Sequence, residues 1–140
     1  MIQSLCRLGV ALSFVAVGVS HFTDPDVFVG IMPPYLPWHL QLVYLSGLFE
    51  ILGGLGLFVP VTRRFAGYGL LALLIAVFPA NVHMAINQVY LEGMPQEQWL
   101  LWLRLPLQLL FAAAVLWSAE LWPPWTSSSV SSASPAHTDE

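Results

Sequence analysis

The sequence predicts an all-α integral membrane protein, a four-helix bundle with a short interfacial segment between its first two helices. Four apolar stretches each approach the roughly 20 residues a helix needs to cross hydrocarbon. Only 9% of the 140 residues are charged and 57% are hydrophobic, with a mean hydropathy of +0.73, whereas a soluble domain has about 25% charged residues. The stretches are separated by proline-rich or glycine-rich breaks. The same composition excludes disorder. A net charge of −4 without a single lysine excludes nucleic-acid binding.

The first span is expected over residues 2–20, with Arg7 as its one charge. Residues 1–20 also satisfy the outline of a cleaved signal peptide: a short basic start, an apolar run, then small residues. The span reading is preferred because the segment has its own inward face, spaced three and four apart at Ser4, Arg7, Ala11, Phe14, Gly18 and His21. Asp24-Pro25-Asp26 breaks it. The stretch from Phe28 to Trp38 follows, too apolar for an ordinary loop and too rich in proline for a span. It is expected to lie along the outer membrane surface and to lid whatever lies beneath.

The second span is expected over 38–59, with Gly47, Glu50 and Gly54 on one face and Gly53 and Gly56 offering further close approach. Pro60-Val61-Thr62-Arg63-Arg64 makes the next turn. Arg63 and Arg64 are the one adjacent basic pair, so the positive-inside rule places this turn and both termini in the cytoplasm. The third span, 65–84, has no charge. Its small and polar stripe is Gly69, Ala72, Ala76, Ala80, His83 and Asn87. Pro79 frees a carbonyl one turn earlier, beside Asn81. Glu92-Gly93-Met94-Pro95 separates this span from the fourth, 99–121, where Arg104 and Gln108 are neighbours at i, i+4. Pro123-Pro124 ends the helix. A transmembrane domain over 1–125 is thus followed by a Ser-rich tail at 126–140, expected to be disordered. Tyr35, Trp38, Trp99, Trp122 and Trp125 fall at the expected membrane boundaries.

The chemistry-bearing residues are few. Glu50 falls near the bilayer midplane, where a carboxylate needs a partner. Arg104, working through Gln108, is the first expected partner and Arg7 the second. Two readings stay open. In one, the Glu50–arginine pair is a clamp that fixes helix register. In the other, Glu50, Arg104, Gln108, Asn81, His83 and His21 line a polar intramembrane pocket for a small amphipathic molecule, a quinone head group or a proton relay. No metal site is expected, because the histidines lack local ligand spacing and Glu50 lies deeper. His39 and His137 are expected to be solvated. Cys6, the lone cysteine, gives no disulfide or redox pair and reads as a small buried side chain.

Together, Gly18-Val-Ser-His-Phe22 with Pro25, Ile31-Met-Pro-Pro-Tyr-Leu-Pro37, the run Ser46–Leu57, Pro60–Gly67 and Val77-Phe-Pro-Ala-Asn-Val-His-Met-Ala85 resemble the DoxX family of small bacterial membrane proteins. The likeness spans roughly residues 5–115. It implies a four-helix protein of the bacterial inner membrane, not catalytic alone, serving as an accessory subunit of a membrane redox or stress-response complex, with a partner protein or a second copy. A quinone-binding oxidoreductase subunit is the alternative, and a small transporter a further one. The family has no catalytic motif that maps onto these residues.

Overall fold

The computed structural model describes residues 1–90 and 96–122. The Glu92–Pro95 break, Pro123-Pro124, Trp125, and the tail at 126–140 with His137 lie outside the described residues. Those described form five helices and no strand. They are α1 (Ile2–Thr23), α2 (Pro25–Gly30), α3 (His39–Gly56), α4 (Arg63–Asn87) and α5 (Gln98–Ser118). Three of them, α1, α4 and α5, are long and apolar enough to cross a membrane. The expected second span corresponds to α3, which is 18 residues long and contains Gln41 and Glu50.

The long helices run alternately up and down. Gln3 reaches the carbonyl of Trp117 and Arg7 that of Ser118, so α1 and α5 are antiparallel. Gly67 near the start of α4 packs against Ala119 just past the end of α5 while Asn81 meets Gln108, which sets α4 against α5 in the same sense. The order around the ring is α1, α3, α4, α5, and α2 packs against α1 and α3. Pro25 at the first helical position and Asp26 in the first turn start α2, where a missing N–H costs nothing and a negative charge suits the helix dipole.

Glycines decide the closest contact. A Cβ on Gly47 would stand 2.6 Å from the His21 Cβ and 2.8 Å from the Gly18 carbonyl, and one on Gly54 2.8 Å from the Ala11 carbonyl. The expected inward faces of α1 and α3 therefore meet at Ala11, Phe14, Gly18 and His21 against Gly47, Glu50 and Gly54, all buried. Ser4 is exposed.

On α4 the expected stripe is not the buried face. Gly69, Ala72 and Ala76 are exposed, and Gly67, Leu70, Met84 and Ala85 are buried instead. The reason is complementarity across helices. Leu70 fills the notch left by Gly53, and Ala119 and Leu121 cover Gly67. A small residue marks a contact only where a neighbouring helix closes on it, as Leu70 does at Gly53 and Ala119 at Gly67. Cys6 is half-buried against this core and accepts a weak hydrogen bond from the Ser118 hydroxyl at 3.5 Å.

Large apolar side chains cover the outside, among them Phe65 at 79% and Ile75 at 74% exposure. Trp38, Trp99 and Trp122 are likewise exposed near helix ends. Water would not tolerate so continuous an apolar surface on a monomer.

Candidate functional site

Arg7 is remote from Glu50. Its guanidinium bonds Glu120 at 2.7 Å, and Glu120 accepts a second 2.7 Å bond from Arg63. Glu120 has φ of 59° just beyond α5, and this left-handed turn accompanies the carboxylate's return to the two arginines. Arg7, Arg63 and Glu120 thus tie the starts of α1 and α4 to the end of α5.

Glu50 faces a different group from the one expected. Among the described residues, the side chain within ion-pair distance of its carboxylate is His21, with Nδ1 3.6 Å from Oε2. Neither Arg104 nor Arg7 forms an ion pair with it. Antiparallel packing through Gly18 and Gly47 explains this, since it sets Glu50 against the last turn of α1 and Arg7 at the other end of that helix. Arg104 is not a free cation, and Gln108 is no bridge to Glu50. Its amide donates to the Leu74 carbonyl and its oxygen accepts from Asn81 at 2.8 Å. Pro79 lacks the N–H that would bond the Ile75 carbonyl, and Gln108 supplies a donor to the carbonyl next to it.

His21 does not satisfy Glu50 either. Its Nδ1 lies 2.8 Å from the Val17 carbonyl, which can only accept, so Nδ1 carries a proton and donates it there. The same N–H cannot also serve Oε2. That oxygen is buried with no hydrogen-bond partner among the described residues, on a residue only 7% exposed. In the neutral ring, Nε2 of His21 is then an acceptor. The ring stacks on Phe28 at 3.8 Å between centroids, which fixes its plane.

These groups lie on the wall of one cavity of about 580 Å³. His21, Ser46, Glu50, Asn81 and Arg104 supply its polar lining, and Phe28, Met32, Leu36, Phe49, Leu73 and Val77 much of the apolar part. Four of the expected pocket residues are thereby brought together. Gln108 stands behind Asn81. His83 lies elsewhere, its Nδ1 accepting from the Asn87 amide at 2.9 Å. His39 is not simply solvated, since its Nε2 donates to the Pro33 carbonyl at 3.2 Å.

Sequence reasoning missed Ser46, Phe49 and the pocket role of Phe28. Phe28 was legible only as part of the lid segment, and Ile31, Met32 and Leu36 from that segment do line the cavity. Among the described residues no group of three His, Cys, Asp or Glu side chains is placed to hold a metal ion.

The family model that matches the chain, over residues 10–120, is described as "Domain of unknown function (DUF8561)". This overturns the resemblance to DoxX. The shared Gly-, Pro- and Glu-containing runs are what any small glycine-packed helical bundle with a buried carboxylate needs, and they are not specific to that family. The bacterial inner-membrane placement and the redox-complex role rested on that resemblance. No curated protein and no solved structure matches the chain.

Proposed function

The chain belongs to the DUF8561 family, and we propose that it is a four-span membrane protein that binds a small lipophilic molecule in the cavity around Glu50. The observation that carries the proposal is the Glu50 Oε2 atom, buried and without a hydrogen-bond partner on the wall of a mostly apolar cavity. A buried acceptor left unpaired costs about 1–3 kcal/mol. Unsatisfied buried polar groups are rare in native proteins, and each calls for an explanation; a bound molecule that completes Glu50 is one. The cavity volume falls within the roughly 300–1,000 Å³ typical of small-molecule sites.

The membrane setting is part of the reading. As the fourth span, α3 is 18 residues long, or about 27 Å at 1.5 Å per residue, close to the hydrocarbon thickness. Leu45, Leu48, Phe49, Leu52 and Leu55 are 46–56% exposed along it, an apolar outer face suited to lipid. Arg7 and Arg63 share one end of the bundle through Glu120. The positive-inside rule makes that end cytoplasmic and turns the α2 side of the cavity outward.

The test is the inventory of lipophilic molecules retained on purification in mild detergent, read by mass spectrometry. Ala80→Trp and Ala76→Trp each push an indole into the cavity from α4. The native chain is expected to retain a species that both variants lose while their melting temperatures stay close to native. Identical inventories would overturn the proposal.

A further inference from the structure

The arginines gathered at one end of the bundle carry more positive charge than their carboxylate neutralises. Resting on the membrane setting above but not on the cavity, we propose that Arg7 and Arg63 together bind the phosphate of an anionic phospholipid head group. Both guanidiniums donate to the same oxygen, Oε1 of Glu120, each at 2.7 Å. Two cations thus share one carboxylate, and one positive charge is left over. Each arginine spends its Nε–H on a backbone carbonyl, Arg7 on that of Ser118 and Arg63 on that of Leu57. A guanidinium has five N–H donors, so both keep N–H groups beyond these bonds. Arg64, next in the chain, is exposed and forms no ion pair among the described residues. The first turn of α4 holds no acidic residue.

A phosphodiester fits that remainder in charge and in shape. It carries one negative charge on two free oxygens, and arginine forks match such oxygens. The backbone bonds hold both side chains in place, while 13% and 15% of their surfaces stay open. Trp122, 60% exposed and two residues beyond Glu120, marks this level as the membrane boundary, where lipid phosphates lie. A zwitterionic head brings its own ammonium against the arginines and fits less well. Free phosphate offers the same oxygens without the chains, so the test separates the two bearers.

The experiment counts lipids retained on the full chain by native mass spectrometry in mild detergent. The additions are dioleoyl phosphatidylglycerol, dioleoyl phosphatidylcholine, and phosphatidylglycerol together with inorganic phosphate. One arginine near a membrane surface corresponds to a preference of about fivefold for an anionic lipid. The native chain is expected to saturate a first phosphatidylglycerol adduct with that preference over phosphatidylcholine, and to keep it against inorganic phosphate. Glu120→Gln frees both arginines from their internal anion and should raise the preference by about fivefold again. The double variant Arg7→Gln/Glu120→Gln has the native net charge but one guanidinium fewer, and should lose the preference. Equal retention of the two lipids, or a double variant that keeps the native preference, would overturn the site. Displacement by inorganic phosphate would support phosphate recognition and overturn the lipid as its bearer. A chain that does not fractionate with membranes would overturn the membrane setting along with the site, and the cavity is untouched by any of these results.

Discussion

Replacing Gly47 by alanine tests the contact on which the whole site depends. The added methyl would stand 2.6 Å from the His21 Cβ, 2.8 Å from the Gly18 carbonyl oxygen and 3.1 Å from Phe22 Cε2. Ordinary contacts between carbon atoms lie at about 3.5–4.0 Å. Two of these neighbours are backbone or Cβ atoms that cannot rotate away, so α1 and α3 must separate by about 1 Å. Overpacking of this kind costs about 1–3 kcal/mol. Alanine also returns about 1 kcal/mol of helix propensity, which would blur the result taken alone. Gly9 supplies the control, because a Cβ there meets nothing within 4 Å. The propensity gain is common to both substitutions and cancels. Gly47→Ala is therefore expected to be less stable than Gly9→Ala by about 1–3 kcal/mol, measured by reversible denaturation in mixed micelles. It should also release the retained lipophile, since His21 moves with α1. Equal stability of the two alanine variants would refute the close-packing argument.

Glu50→Leu removes an unpaired buried oxygen and is expected to stabilise the chain by about 1–3 kcal/mol in the same denaturation assay; a variant less stable than native would sink this account of Glu50. Glu120→Gln breaks the half-exposed bonds to Arg7 and Arg63 and should cost about 1 kcal/mol at low salt. Most of that difference should vanish near 1 M salt, where the screening length is about 3 Å, and a difference insensitive to salt would argue against an electrostatic tie. Gln108→Leu strips Asn81 of its acceptor and the Leu74 carbonyl of a donor. Its expected cost in the same denaturation assay is about 1 kcal/mol, the scale of hydrogen bonds between membrane helices; an unchanged midpoint would mean that the pair is idle.

The helices, their approximate limits and the inward faces of α1 and α3 were legible in the sequence, because hydropathy and the spacing of small residues are local properties of the chain. Hydropathy alone also called a span where α3 lies; α1, α4 and α5 are the helices long and apolar enough to cross a membrane, and the crossing by α3 is part of the proposal. The α4 face was misread because small residues mark a contact only when a neighbouring helix closes on them. Gly53 found that in Leu70, whereas Gly69 faces open space.

For the site, sequence alone identified Glu50 as the carboxylate that needs explaining, since few other charges fall within the apolar spans. It could not choose the partner. Residue types and depths made an arginine look right, but pairing depends on helix order and rotation, which emerge only when the backbones meet at Gly18 and Gly47. That contact puts His21 beside Glu50. The Val17 carbonyl then takes the histidine proton, Arg7 is left at the far end with Glu120, and the carboxylate oxygen faces the cavity without a donor. Composition determined that the protein holds scarce charge among apolar helices. Tertiary packing decided which charges meet, because ion pairs and hydrogen bonds act over a few ångströms and only the assembled helices set those distances.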